Sequence, residues 1–95
     1  MTNYVKLEVI TPEELFYTGE IELVIAPTLD GEEGFMANHS GACKLLNNGM
    51  LWIQEKGKTR NDFRVAEIEG GFIDVKETIL IYTDAAQWSD KKRRS

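Results

Sequence analysis

The sequence predicts an all-β domain, a β-sandwich or flattened barrel of two sheets, and three observations carry that prediction. Apolar residues recur mainly at every second position, the mark of half-buried strands. Short clusters rich in glycine, asparagine and charged residues interrupt these runs at close intervals, as turns would. No stretch keeps the period of a long amphipathic helix. Six or more short strands so spaced bury their apolar faces either between two sheets or inside a closed one.

Each element follows from its own pattern. Val5, Leu7 and Val9 alternate with Lys6 and Glu8, giving one apolar and one charged face. Ile21, Leu23 and Ile25 alternate with Glu20 and Glu22 in the same way. Met50-Leu51-Trp52-Ile53 and the run from Thr78 to Thr83 are apolar on both faces and predict strands covered on both sides. The runs from Phe63 to Ile68 and from Phe72 to Val75 complete the set. Hairpin connections are expected at Tyr17-Thr18-Gly19, Asn47-Asn48-Gly49, Glu55 to Lys58 and Lys76-Glu77. Gly70-Gly71 joins two strand-like runs without a polar loop and predicts a bulge or a corner where the chain changes sheet. Asp84 to Trp88 reads as the start of a short helix capped by Asp84, running into a polar tail. The expected organisation is one domain over residues 1–86 and a tail or truncated helical start over 87–95.

Composition narrows the function classes. Ninety-five residues make one domain with a single core. A net charge of −5 argues against broad nucleic-acid binding, which needs a basic face, and against docking on anionic lipid. Cys43 is the only cysteine, so an intrachain disulfide is impossible, and a free thiol suits a reducing compartment. The first residues are charged too early for a signal core, and no apolar run approaches the roughly 20 residues of a membrane span.

Chemistry-bearing residues are sparse. His39 is the only histidine, so any triad or metal site must use it, with Asp30, Glu32 and Glu33 nearby in sequence. One histidine without ligand-like spacing makes a small metal-dependent hydrolase the weaker reading, and no cofactor is expected. Cys43, four residues from His39 and beside Lys44, invites a thiolate reading; a small buried hydrophobe at a strand start is the simpler one. Asp30-Gly31-Glu32-Glu33-Gly34 lacks the Lys-Ser/Thr ending of a phosphate loop, and its acids would repel phosphate. Lys91-Lys92-Arg93-Arg94 is terminal, lacks interleaved aromatics and reads as a solvated tail. What stands out is the stretch from Gly34 to Ala42, crowded with small residues yet carrying Phe35 and Met36. Either both side chains tuck under the loop, or the loop is a contact surface.

These residues also resemble a known family, the epsilon subunit of rotary F-type ATP synthases. Leu7 to Glu13 resembles its opening strand and "TPE" turn, with Phe16 and Gly19 at the next strand entry. Gly31-Glu32-Glu33-Gly34 followed by Asn38-His39 is similar to its "GE-x-G…NH" loop. Leu46, Gly49, Leu51 and Ile53 match an "L…G-x-L-x-I" strand, and Gly70 to Val75 a "GG-F-x-E-V" segment with Asp74 for the usual Glu. Ile79 to Asp84 and Ala86 resemble the closing strand. The departures are Ser40-Gly41 after His39, where the family usually has Ala-Pro, and Glu67 at a position that is commonly more apolar.

The resemblance implies a non-catalytic, ten-stranded sandwich at the foot of a central stalk, bound to the gamma subunit and to the membrane-embedded c ring. It assigns Glu32, Phe35, Met36, Asn38 and His39 to the c-ring and gamma junction. Thr11, Pro12, Ser40, Gly41, Ala42 and Cys43 become weaker candidates for the gamma side. It further implies a chain that is monomeric when isolated, binds no nucleic acid, and reaches the cytoplasmic side of a bacterial plasma membrane only through the complex. Family members usually add a pair of C-terminal helices. The sequence stops at Ser95, either as a short form or as an excised domain, so nucleotide binding and inhibition by that arm are not expected of these residues. A stand-alone β-sandwich adaptor is the alternative from another functional class.

Overall fold

A computed structural model describes residues 4–37, 41–59 and 62–91. Among these residues nine strands account for the regular structure: β1 (Val5–Ile10), β2 (Leu15–Thr28), β3 (Gly31–Phe35), β4 (Cys43–Leu46), β5 (Gly49–Glu55), β6 (Arg64–Ile68), β7 (Gly71–Val75), β8 (Thr78–Tyr82) and β9 (Ala86–Ser89). Among the described residues there is no helix. Strands β1, β8, β7, β4 and β2 close a ring in that order, and β5, β6 and β9 continue outward from β2. The β1–β8 pairing is parallel and the rest antiparallel, which makes the sheet mixed. The expected flattened barrel is the fold, with β2 serving both layers. Its first half pairs with β1, and its second half with β3 and β5.

Strand β2 shows why simple alternation misleads. Ile21 is fully buried as expected, but the core face then passes to Val24 and Ala26, leaving Leu23 and Ile25 half-buried on the other side. The register against β5 shifts between Ile21 and Leu23, a bulge that exchanges the two faces of the strand. Tyr17-Thr18-Gly19 is likewise no hairpin. It lies inside β2, opposite Val9, Glu8 and Leu7 of β1. Gly19 is needed there because a Cβ would lie 2.6 Å from the Tyr17 hydroxyl. The actual β1–β2 turn is closed by Thr11, whose hydroxyl accepts from the Glu13 and Glu14 amides at 3.3 Å. Asn47-Asn48-Gly49 connects β4 to β5, strands that do not pair, so it carries the chain between layers and is no hairpin. The β7–β8 connection at Lys76-Glu77 is a hairpin as expected, whereas β5 and β6 pair antiparallel across a connection that runs well past the expected end at Lys58.

Gly70 and Gly71 form the predicted corner between β6 and β7. Both have positive φ, +62° and +108°, a region that glycine alone occupies freely. A Cβ on Gly71 would sit 1.8 Å from the Tyr82 carbonyl oxygen, so β8 closes directly over this residue.

The core is one cluster between the layers, built from Leu7, Val9, Ile21, Val24, Phe35, Leu51, Ile53, Ile68, Ile73, Val75, Ile79 and Ile81, all essentially inaccessible to solvent. Strand β5 is buried on both faces, as its sequence predicts. Strand β8 is not. Ile79 and Ile81 face the core, while Leu80 is half-buried and Tyr82 exposed.

The expected helix from Asp84 is a strand. Ala86 to Ser89 pair with Ile68 to Val65 of β6, so β9 runs across the expected boundary at residue 86. Tertiary packing overrides the local helical preference. Trp88 stacks on Phe16 (4.6 Å between centroids), meets Tyr17 edge-on, and lies under the Arg64 guanidinium at 4.0 Å. Arg64 also pairs with Glu55 at 3.5 Å, and Tyr17 donates to Glu55 Oε2 at 2.7 Å. Burial first, then the bond to Glu55 and its charge, push the Tyr17 hydroxyl well above its usual pKa.

Candidate interaction surface

The acidic loop singled out in the sequence is a β-hairpin. Strand β3 pairs with the end of β2 from Val24↔Phe35 to Thr28↔Gly31. Thr28 closes the tip, its hydroxyl donating to the Gly31 carbonyl at 2.7 Å and accepting from the Asp30 amide at 3.1 Å. Gly31 supplies the positive φ of the turn. Lys44 reaches from β4 to Glu33 at 2.7 Å. That hydrogen bond raises the Lys44 pKa against an opposing desolvation, with lesser help from the charges on Glu33 and Asp30. The hairpin therefore presents Glu32 and Asp30 at its tip, while Glu33 turns to β4.

The two apolar residues of this loop take different places. Phe35 is 1% exposed and belongs to the core, so its side chain anchors the hairpin and does not reach a partner. Met36, half-exposed at 50%, is the one that can. Asn38, His39 and Ser40 lie outside the described residues. Ala37 and Ala42 pack against the core. Gly41 donates to the Val75 carbonyl, and Ala42 accepts from the Val75 amide, both at 2.8 Å. The small residues here thus admit the chain's own β7.

Cys43 begins β4 as expected but is exposed, not buried. It stands opposite Asp74, on the outer face of the ring, while Lys44 takes the alternate face opposite Ile73. That same outer face carries a feature invisible in the sequence. Leu45 lies opposite Phe72, Phe72 opposite Tyr82, and Tyr82 opposite Ile10, so four apolar residues from β4, β7, β8 and β1 form one row. Directly opposed residues share a face, so the row is continuous. Leu45 is 61% exposed, Phe72 39% and Tyr82 37%, and the two rings stack at 4.9 Å. Exposed Leu29, whose amide bonds to the Leu45 carbonyl at 3.2 Å, brings the hairpin tip close to one end. At the other end Thr11 and Pro12 flank a depression of about 390 Å³ whose walls include Ile10, Phe72, Tyr82 and Asp84. Contiguous exposed apolar side chains of this size mark contact surfaces on soluble domains. Among the described residues, no group of three or more His, Cys, Asp or Glu is arranged to hold a metal ion.

Residues 4–89 match the family model described as the ATP synthase, Delta/Epsilon chain, beta-sandwich domain. The chain belongs to this family. Epsilon-type chains are non-catalytic subunits of the ATP synthase complex, so His39 need not be the centre of an enzyme. The ATP synthase epsilon chain of Desulforamulus reducens is 36% identical over 92 residues, covering 96% of this chain and 67% of that one. That of Caldicellulosiruptor bescii is 37% identical over 87 residues, covering 90% and 61%. The chain thus spans 61 to 67% of the length of these curated relatives. A chain in the Euglena gracilis mitochondrial ATP synthase structure (OSCP, F1 and c ring) superposes with a TM-score of 0.82 at 22% identity, covering 93% of this chain and 55% of its own. A chain in the Tetrahymena thermophila central stalk and c-ring structure gives 0.69 at 16%, covering 87% and 65%. At those identities the likeness establishes the fold alone.

Of the residues expected for the gamma side, Thr11 and Pro12 border the apolar row at β1, and Cys43 lies two residues along β4 from Leu45. Leu45, Phe72, Tyr82 and Leu29 were missed. The one partial signal was in β8, where Leu80 and Tyr82 form a second apolar face that the fold leaves partly uncovered; nothing local pointed to the other three.

Proposed function

We propose that this chain is a central-stalk subunit of an F-type ATP synthase, joining the gamma subunit to the c ring and helping to carry torque between them. The observation that carries this reading is the apolar row Leu45–Phe72–Tyr82–Ile10, bounded by the Thr11-Pro12 turn and Cys43, the weaker candidates for the gamma side in the sequence. The row is the gamma face. The acidic hairpin, with Glu32 and Asp30 at its tip and Met36 at its base, meets the polar loops of the c ring together with Asn38 and His39. Ion flow turns the ring, and the domain locks ring to stalk.

The chemistry of ATP synthesis happens elsewhere, and what this chain supplies is stiffness. A close-packed core between layers joined through β2 resists shear, because displacing either layer would open voids around Leu7, Ile21 and Ile79. The apolar row supplies buried area against gamma. The acidic tip sets orientation and association rate toward basic loops more than raw affinity. The complex holds the chain at the cytoplasmic side of a bacterial plasma membrane.

The test is co-expression of the chain with the gamma subunit and c ring of its own organism, followed by capture through a tag on gamma. The chain is expected in the captured complex together with the ring. A captured gamma–c-ring assembly lacking the chain would refute the reading and favour a stand-alone adaptor.

A further inference from the structure

We infer that the depression beside the Phe72–Tyr82 stack receives a lysine or arginine side chain of the partner bound on that face, its aliphatic stem against the apolar walls and its cation at Asp84. This inference rests on the gamma-face reading and adds the chemistry of the partner's anchor. The depression has two unlike sides. Ile10, Pro12, Phe72 and Tyr82 supply an apolar wall, and the two stacked rings lie 25° from parallel, presenting a broad aromatic edge. Asp84 supplies the rim, and its position is fixed by the backbone. Its amide donates to the Glu69 carbonyl at 3.2 Å, and the preceding Thr83 amide donates to the Ile10 carbonyl at 3.0 Å. Thr83 itself is buried and bonds through its hydroxyl to Glu69 and Ala85, so the segment cannot swing away.

Charge decides the occupant. The other acids of this outer face have neighbouring cations: Glu8 pairs with Lys6, and Asp74 with Lys76, each at 3.5 Å. Asp84 is exposed, and among the described residues it has no ion-pair partner. A purely apolar knob would strip water from this carboxylate without replacing it, which is costly. A short polar side chain would leave the aromatic wall wet. A long side chain with an apolar stem and a cationic head satisfies both.

The test measures binding of the whole chain to purified gamma subunit at several salt concentrations, for the unaltered chain, Asp84→Asn, Asp84→Lys and Phe72→Ala. The Asp84 carboxylate makes no bond to the fold in this structure, so both Asp84 variants should keep the unaltered melting temperature. Asp84→Asn is expected to weaken binding about three- to tenfold and to flatten its salt dependence, and Asp84→Lys to weaken it further. Phe72→Ala weakens it without changing the salt slope. If Phe72→Ala weakens binding while both Asp84 variants bind as the unaltered chain does, the cationic anchor is wrong and the gamma face stands. If the unaltered chain does not bind gamma, the face assignment fails and the anchor with it.

Discussion

Gly71→Ala should be among the most damaging single substitutions in this chain, and its neighbour Gly70 supplies the control. Both residues have positive φ, so alanine at either incurs backbone strain. At Gly70, with φ +62° and no atom closer than 3.7 Å to a new Cβ, that strain is the whole cost, about 1–2 kcal/mol. At Gly71 the Cβ would fall 1.8 Å from the Tyr82 carbonyl oxygen and 2.8 Å from Thr83 Cα. These are backbone atoms of the adjacent strand, so the contact cannot be relieved by a rotamer change. The corner must move and weaken the Phe72↔Tyr82 pairing. Strain and displacement together come to roughly 3–5 kcal/mol, a large part of what a small domain has. Urea titration followed by tryptophan fluorescence would read this. With a slope of about 2 kcal/mol per M, the midpoint should fall by roughly 2 M for Gly71→Ala and by under about 1 M for Gly70→Ala. The corresponding drop in melting temperature for Gly71→Ala is at least about 12 °C. Equal midpoints for the two variants would show that the close approach of β8 is not what requires Gly71.

Trp88→Ala removes the Phe16 stack and the Arg64 contact; it should cost about 2 kcal/mol and let the amides of Ala86 to Ser89 exchange with solvent ahead of the core, as hydrogen exchange would show. Tyr17 has a folded pKa above its unfolded value near 10, so its contribution is intact below pH 10 and is lost as pH rises above it. Denaturation of the unaltered chain should accordingly steepen above about pH 10, and more shallowly in Tyr17→Phe; identical alkaline limbs would show that Tyr17 is not responsible. Replacing Glu32 by Gln together with His39 by Ala should lower recovery of the chain with gamma and the c ring while leaving its melting temperature within a few degrees of the original. Undiminished recovery would remove both residues from the junction.

Much of the fold was legible because period-two runs such as Val5–Val9 report a half-buried strand directly, and Gly70-Gly71 reports a corner. What was not legible depended on contacts between distant residues. The bulge in β2 transfers the core face from Ile21 to Val24, and no local pattern announces it. Tyr17-Thr18-Gly19 has turn composition, yet Gly19 is there to make room for the Tyr17 ring within a strand. Asp84 to Trp88 has helical character, but Trp88 gains more from Phe16 and Arg64 than a helical turn would give it. For the interaction surface, the acidic hairpin was evident in one stretch of sequence. The apolar row draws on positions 10, 45, 72 and 82, and only the register of four strands brings those together.

That row is the centre of the functional account, and one measurement addresses it directly: the affinity of the cognate gamma subunit for the chain carrying Leu45→Glu and Phe72→Glu together. Both side chains are exposed, so the variant should fold with at most about 1–2 kcal/mol lost with the Phe72–Tyr82 stack. Two carboxylates at the centre of an apolar interface should reduce binding at least about 100-fold. Binding at the affinity of the unaltered chain would contradict the account, because gamma would then have to hold the domain by another face.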